Sequence, residues 1–191
     1  MKRALLLLTS LSLSGCELDQ ASEALGPCEA IVTESPLEPG LHREPGTAIE
    51  WSSNPPVTGE HYVIWARWGL TYQDPPLERG YWLHNAEHGG IVFLFNCPDG
   101  CPDEVARLEE LARELPVDPR CEEPIHNRTL VTADPLLPPD VRIAAVAWGV
   151  SYAATCIDEV TLRQFATDHY GRAPENFCAQ SSYPPSPPTS R

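Results

Sequence analysis

The stretch "GIVFLFNC", residues 90–97, decides the fold of this chain. Its residues 91–95 are all apolar, and the run includes both β-branched and aromatic side chains. A short continuous apolar run of this kind is typical of a strand that is buried on both faces. We therefore predict that this stretch is the central strand of a sheet.

The segments around this strand predict both helices and further strands. Residues 101–116 place a proline and an aspartate at a helix start, and residues 158–171 run from a capping aspartate to a closing glycine. Further strands are predicted at residues 61–69, 128–134 and 141–152. This order of elements, with long proline-rich loops, predicts an α+β fold, with a mostly antiparallel sheet and two helices on one face.

The amino terminus has the pattern of a lipoprotein signal peptide. Lys2 and Arg3 precede an apolar segment too short to span a bilayer, which ends in Leu13-Ser14-Gly15-Cys16 and resembles a bacterial lipobox. That resemblance implies cleavage before Cys16, a diacylglycerol on its sulfur and an acyl chain such as palmitate on its amino group. The alternative is an ordinary secretory signal with a chance cysteine at its end.

These patterns divide the chain into four parts and predict where it resides. We expect a signal peptide over 1–15, a lipidated tether over 16–27, one globular domain over 28–178 and a disordered proline- and serine-rich tail over 179–191. Since Glu17 rather than an aspartate follows the cysteine, we expect retention in the cell envelope at the outer membrane rather than the inner membrane.

Charge and composition exclude several classes of function. The formal net charge is −14 and becomes −16 once Lys2 and Arg3 are removed with the signal peptide. Such an acidic surface argues against nucleic-acid binding, so the predicted partner is the lipid bilayer, through acylated Cys16; no protein partner is indicated. Residues 17–191 contain no lysine and no methionine, which excludes Schiff-base catalysis and a thioether site for Cu(I).

Cysteine usage predicts a domain that is stapled by disulfides. Six cysteines remain besides Cys16, and an even number in an exported chain predicts three bridges. Because the cysteines flank the predicted helices, we expect the pairs Cys156–Cys178, Cys101–Cys121 and Cys28–Cys97. The alternative for Cys97-x-x-x-Cys101 is a zinc site, and its spacing differs from the C-x-x-C of thioredoxin-like oxidoreductases.

A dense group of candidate ligands precedes the central strand. His84-x-x-Glu87-His88 matches the H-x-x-E-H pattern of zinc proteases, in which a helix presents the ligands and the glutamate is the general base. Gly89-Gly90 and the strand behind them leave little room for that helix, so the pattern instead predicts a histidine turn. Gly89 is expected to adopt a backbone conformation that a side chain would resist.

Three separated motifs resemble the bacterial family known as domain of unknown function 3105. They are Asn54-Pro55-Pro56-Val57-Thr58-Gly59-Glu60-His61-Tyr62, then His84 to Gly89, then Ala147-Trp148-Gly149, and residues 173–175 resemble the family's usual close. The resemblance spans residues 50 to 178, whereas the cysteines are not part of the pattern. It implies membership of the family and no established activity.

The motifs predict a cluster of His61, His84, His88 and Glu87. If the strand that opens at His61 lies beside the histidine turn, three imidazoles and one carboxylate converge, which suits Zn²⁺ or Cu²⁺. Glu87 is then a fourth ligand, a partner that orients an imidazole, or a base acting on bound water. The alternative is that the histidines donate to backbone carbonyls and brace the turn. His42, His126 and His169 are expected at the surface.

Three functions follow from these observations. The first is an envelope lipoprotein that binds a divalent metal through the histidine cluster. The second is a non-enzymatic structural or interaction lipoprotein, since no complete catalytic constellation is present. The third is a small metal-dependent hydrolase that uses Glu87 as its catalytic residue.

The lipobox generates a test of anchoring. A Cys16→Ser variant should appear in the soluble fraction or remain unprocessed, because acyl chains on Cys16 would supply nearly all of the membrane affinity. Membrane fractionation with mass spectrometry of the mature amino terminus measures both outcomes. A processed Cys16→Ser protein that still sediments with membranes would refute the lipoprotein interpretation.

Overall fold

The computed structural model describes residues 28–181 and residue 183. The predicted signal peptide, the tether with Cys16, and most of the predicted tail lie outside the described residues. Among the residues described, no helix is long and apolar enough to cross a membrane.

The core of the domain is a mixed six-stranded sheet in the order β1-β8-β7-β5-β6-β4. Its strands are β1 (Ala30–Glu34), β4 (Thr71–Tyr72), β5 (Ile91–Phe95), β6 (Thr129–Ala133), β7 (Ile143–Ala147) and β8 (Val150–Ala154). A separate parallel pair is formed by β2 (His42–Arg43) and β3 (His61–Tyr62). The three helices of the described residues are α1 (Arg79–Glu87), α2 (Pro102–Glu114) and α3 (Glu159–His169).

The prediction of a buried strand at the centre of the sheet is confirmed, whereas that of a mostly antiparallel sheet is wrong. All five residues of β5 are buried, and β5 pairs with β6 on one side and β7 on the other. Helix α2 carries the chain across the sheet between β5 and β6, so these two strands are parallel. β4 is also parallel to β6, and β5, β7, β8 and β1 are antiparallel neighbours.

Alternate residues of β5 enter two cores on opposite faces of the sheet. Ile91 and Phe93 pack with the apolar sides of α2 and α3, and Val92 and Leu94 pack with α1. The two predicted helices therefore do share one face. The third helix, α1, covers the other face and was not predicted.

Helix α1 replaces the predicted histidine turn. It ends at Glu87, before the two glycines, so Gly89-Gly90 follow the helix rather than prevent it. Seven of its nine residues are buried and its N-cap residue, Glu78, makes no side-chain capping bond. A helix that is buried nearly all round has no amphipathic pattern, which is why the sequence did not reveal it.

Two predicted strands also differ from the structure. The predicted strand over 61–69 is reduced to the two residues of β3. The segment predicted as one strand over 141–152 is a hairpin, because Gly149 takes a left-handed φ of 82° and reverses the chain between β7 and β8.

The prediction of disulfides is confirmed, but all three predicted pairings are wrong. The structure joins Cys28 to Cys156, Cys97 to Cys101 and Cys121 to Cys178. The antiparallel pairing of β1 with β8 carries Cys28 and Cys156 to the same end of the sheet, where the N–H of Thr155 donates to the carbonyl of Glu29 at 3.0 Å. The strand register therefore sets the Cys28–Cys156 pair, and the helix that a cysteine flanks does not identify its partner.

A buried ion pair fastens the end of α1 to the sheet. The fully buried guanidinium of Arg128 donates from Nε to Asp118 Oδ2 at 2.7 Å and from Nη1 to the carbonyl of His88. The Tyr170 hydroxyl donates to the same carboxylate oxygen at 2.8 Å and accepts the backbone N–H of Arg128 at 2.7 Å. A charge without solvent is tolerated here because the Asp118 carboxylate neutralises it and three of its five N–H groups donate to acceptors, the third to Asn176 Oδ1.

Removal of the buried carboxylate tests this network. Burial alone would raise the pKa of Asp118, but bonds from the Arg120 N–H, Tyr170 and Arg128 outweigh it, and the pKa is lowered. Asp118→Asn should lower the free energy of unfolding at pH 7 by about 3 kcal/mol, since Arg128 is left buried without its counter-charge. Chemical denaturation with intact disulfides measures the effect.

The pH dependence and a surface control complete this test. A lowered carboxyl pKa stabilises the fold above the unfolded value of about 3.9, and that contribution is lost as pH falls through the folded pKa. The difference between wild type and Asp118→Asn should therefore shrink below about pH 4. Glu110→Gln, in a pair with Arg107 in which both side chains are 46% exposed, should change stability by less than about 0.5 kcal/mol. Equal effects of the two substitutions would contradict the role given to Asp118.

Candidate metal centre

A short parallel ladder brings His42 and His61 together. The register of β2 and β3 places His42 opposite His61, and the N–H of His61 donates to the carbonyl of Leu41 at 3.1 Å. Residues opposite each other in parallel strands share one face, and the two ring centroids lie 5.0 Å apart. An ion pair between Arg43 Nε and Glu60 Oε2 at 2.7 Å joins the same two strands.

Helix α1 adds His84 and Glu87 to these two histidines. The spacing of three residues puts both side chains on one side of the helix. The His84 ring stacks on His42 with centroids 4.7 Å apart and lies 4.8 Å from His61. Glu87 Oε2 is 2.9 Å from His61 Nε2 and 3.6 Å from His42 Nε2. One ligand atom from each of these four residues lies within 4.8 Å of all the others.

Hydrogen bonds to backbone carbonyls define the tautomers of His61 and His84. His61 Nδ1 lies 2.9 Å from the carbonyl oxygen of Gly59, and His84 Nδ1 lies 2.6 Å from that of Tyr62. A carbonyl can only accept, so each Nδ1 must carry the hydrogen and the neutral ring keeps its lone pair on Nε2. Histidines that bind metals usually donate their other ring nitrogen in this way.

The atoms that face one another in the cluster are hydrogen-bond acceptors that carry lone pairs. His61 Nε2 and Glu87 Oε2 are buried and find no hydrogen-bond partner among the described residues, although they lie 2.9 Å apart. A lone pair and a carboxylate oxygen at this distance repel each other unless a proton or a cation lies between them. The arrangement is therefore suited to hold a positive charge.

Burial sets the protonation of the cluster. It lowers the pKa of His84 to about 4, although the bond to Tyr62 acts in the other direction. Burial also lowers the pKa of His88 to about 3, and the neighbouring histidines add to the effect. Burial would raise the pKa of Glu87, but His61, followed by His84 and His42, outweighs burial and the pKa is lowered. Near pH 7, His84 and His88 are therefore neutral and Glu87 is ionised, and these are the forms that bind a metal.

His88 belongs to a second donor group, which shares His84 with the first. His88, His84 and Glu175 offer ligand atoms within 4.8 Å of one another, and His88 Nε2 is 3.4 Å from Glu175 Oε2. Because His84 Nδ1 is bonded to a carbonyl, only its Nε2 is free for a metal. An ion can therefore use His84 in one group or in the other, but not in both at once.

The structure thus divides the set predicted from the sequence. His61, His84 and Glu87 come together, His88 is in the second group, and His42 is the residue that sequence reasoning missed. His42 was expected at the surface, and its side chain is indeed 41% exposed, at the mouth of the cluster. The strand pairing of β2 with β3 brings His42 to the cluster. In the sequence, the complementary charges of Arg43 and Glu60 were the only signal of that pairing.

The remaining motif residues support the cluster from the other side. The N–H of Gly149 donates to the carbonyl of Val57 at 2.7 Å, so the turn between β7 and β8 is bonded to the N-P-P segment. The Trp148 ring meets His61 edge-on with centroids 5.8 Å apart. The N–H of Glu175 donates to the carbonyl of Glu87 at 3.2 Å. All the separated motifs therefore converge on one place.

The prediction for Gly89 is confirmed. Its φ is 84°, and a Cβ at this position would lie 2.8 Å from Arg128 Nη1 and 3.0 Å from the Cα of Gly171. The glycine lets the chain leave the helix and enter β5 while Arg128 approaches its backbone.

A cavity of about 540 Å³ reaches Glu87, and its walls include Leu37, Trp148 and Arg172. Gly40 also lines this cavity and lies directly against the carboxylate, since a Cβ there would collide with Glu87 Oε1. The position of Glu87 therefore depends on a glycine from the loop before β2.

The tautomer of His84 can be measured in metal-free protein. At pH 6 its ring should be neutral, with hydrogen on Nδ1 and a lone pair on Nε2, because its pKa is about 4 and the Tyr62 carbonyl requires the donor. Long-range proton–nitrogen NMR distinguishes the forms, and the signals are assigned by their loss in His84→Gln. A charged ring at pH 6, or hydrogen on Nε2, would contradict this geometry.

Comparison with known proteins supplies the family and no activity. No curated protein and no solved structure matches the chain. The profile of a family described as "Protein of unknown function (DUF3105)" matches residues 42–182. This match covers most of the chain and contains every residue of both donor groups. The chain therefore belongs to the DUF3105 family.

Proposed function

We propose that this protein is an envelope lipoprotein that holds a divalent metal ion on His42, His61, His84 and Glu87. The observation that carries the proposal is the orientation of His61 and His84. Both donate Nδ1–H to the backbone and direct Nε2 at one buried space, where Glu87 supplies a negative charge. A cluster built only to brace the fold would not need to collect unpaired acceptors.

The donor set favours Zn²⁺ or Cu²⁺. Imidazole nitrogen suits both ions, and a carboxylate completes a four-donor set. His42 Nε2 lies 3.6 Å from Glu87 Oε2, farther than His61 Nε2 at 2.9 Å. Its side chain is also the most exposed of the four. A small rotation of this side chain would close the site, so we expect His42 to be the ligand that orders on binding.

Anchoring remains a proposal from the sequence. The lipobox at Cys16 supports attachment to the bilayer, and Glu17 supports the outer membrane. Only residues 17–27 separate the lipidated cysteine from Cys28 at the start of the domain, so the domain would be held near a membrane surface.

A metal-dependent hydrolase is the second candidate, and the cavity at Glu87 favours it. This cavity would let a small molecule reach the Glu87 carboxylate. In this reading His42, His61 and His84 hold the ion, and Glu87 acts as base on a bound water. The two candidates differ in what Glu87 contributes, affinity in the first and turnover in the second.

Metal content of protein purified without a histidine tag tests the proposal. Wild type should retain close to one equivalent of Zn²⁺ or Cu²⁺ after dialysis, and His61→Ala should bind about a hundredfold more weakly or worse. The estimate follows because one of four ligands is lost from a total binding free energy of about 10–16 kcal/mol. Elemental analysis and chelator competition measure content and affinity.

Three further variants assign the ligands. His88→Gln should bind nearly as well as wild type if the first donor group is used, and His126→Ala is the control outside both groups. Glu87→Gln should lose affinity if Glu87 is a ligand, and lose only hydrolysis of an activated ester if it is a base. Negligible metal in wild type would refute both candidates and leave the non-enzymatic interaction lipoprotein as the remaining function.

A further inference from the structure

The Cys97–Cys101 disulfide lies where strand β5 runs into helix α2. β5 ends at Phe95, and Cys101 is the N-cap residue of α2. Since β5 and β6 are parallel neighbours connected by α2, the three elements form a βαβ unit. A closely spaced cysteine pair beside such a unit is the mark of thioredoxin-like redox sites, although their usual spacing is one residue shorter.

This disulfide is the one that the fold needs least. Its cysteines are 4 residues apart in sequence, whereas the other two bridges join residues 128 and 57 apart. A cross-link restricts the unfolded chain less when it encloses fewer residues. The turn is also closed without it, because the N–H of Gly100 donates to the carbonyl of Cys97 at 2.9 Å.

Cys97 and Cys101 differ in their exposure to solvent. Cys101 is 5% exposed and belongs to the core between the sheet and α2. Cys97 is half-buried, and the three residues that follow it, 98–100, are exposed. An incoming thiolate can therefore approach Cys97 Sγ from solvent, while Cys101 is left as the departing sulfur.

Helix α2 is placed to stabilise that departing sulfur as a thiolate. Cys101 stands at the positive end of the helix dipole, where the free N–H groups of the first turn point. Asp103 and Glu104 are the acidic residues of that turn; Asp103 is exposed to solvent, which screens its charge, and Glu104 is paired with Arg142, at 2.7 Å from Oε1 to Nη2, so both charges oppose the thiolate less. A thiolate that is stabilised in this way is a good leaving group.

We propose that Cys97 and Cys101 form a redox-active pair that exchanges with a dithiol of a partner protein. One partner thiolate attacks Cys97 Sγ, a mixed disulfide forms, and the bond to Cys101 breaks to release its thiolate. The second partner thiolate attacks the partner sulfur of the mixed disulfide and releases Cys97. The partner's two thiols thereby lose two electrons and two protons and become a disulfide, and the pair takes up both and becomes a dithiol.

Surface charge indicates the kind of partner. Asp99 within the cysteine turn and Asp103 just after it are both exposed. A partner whose dithiol lies on a basic surface would be favoured at this end of the domain. The redox pair and the histidine cluster lie at opposite ends of β5, so this proposal does not depend on a bound metal.

Graded reduction of the wild-type protein is the first test. Protein is equilibrated with increasing dithiothreitol, free thiols are trapped with N-ethylmaleimide, and each cysteine is mapped by peptide mass spectrometry. Cys97–Cys101 should be half-open at a concentration of reductant at least about tenfold lower than either other disulfide requires. Opening of all three together, or of this pair last, would overturn the proposal.

Titration of single thiols is the second test. Cys97→Ser leaves the Cys101 thiol at the N-terminus of α2, and the control Cys178→Ser leaves Cys121, which precedes no helix. The thiolate absorbance at about 240 nm should appear at a pH at least about one unit lower in Cys97→Ser than in the control, because the helix dipole stabilises the Cys101 thiolate. Equal titration would mean that the helix does not activate the leaving sulfur and would also overturn the proposal, and the first test stands if Cys97→Ser does not fold.

Discussion

Burial of β5 on both faces is the constraint on which the rest of the structure depends. Its five side chains alternate between two apolar cores, so each face of the sheet must be covered. Helices α2 and α3 cover one face and α1 the other, and β6 and β7 satisfy the backbone groups of both edges. Because β5 follows α1 directly and leads directly into α2, the same constraint places the histidines at one end of the strand and the cysteine pair at the other.

A fully buried charge, the guanidinium of Arg128, lies beside the start of β5. Arg128 precedes β6, the neighbour of β5, and its guanidinium satisfies the carbonyl of His88 at the end of α1. Asp118 and Tyr170 hold the guanidinium from the opposite side, and Asn176 accepts a further bond from Nη1 at 2.7 Å. This network ties the helix that carries His84 and Glu87 to the loop after α2 and to the C-terminal segment, so the candidate ligands stand on a rigid support.

Within the cluster, the backbone orients side chains that could hold a cation. The carbonyls of Gly59 and Tyr62 each orient one imidazole, and burial keeps His84 neutral. Glu87 is confined by the close approach of Gly40. Such preorganisation lowers the cost of ordering ligands, and His42 has the most exposed side chain of the four.

The sequence by itself determined the elements whose signals are local. The continuous apolar run predicted β5, helical spacing with Asp158 as N-cap predicted α3, and the glycine after His88 predicted a left-handed residue. The family motifs also identified His61, His84 and Glu87 as candidate metal ligands. These features depend on neighbours a few residues away, which is the range over which backbone geometry and capping act.

Only the tertiary structure decided which distant segments meet. The parallel pairing of β5 with β6, the Cys28–Cys156 disulfide and the place of His42 beside His61 all depend on how strands from separate parts of the sequence pair. Helix α1 was hidden for a related reason, since its sides face protein nearly all round and carry no periodic pattern. Register is chosen by the summed burial of the whole domain, and no single segment contains that information.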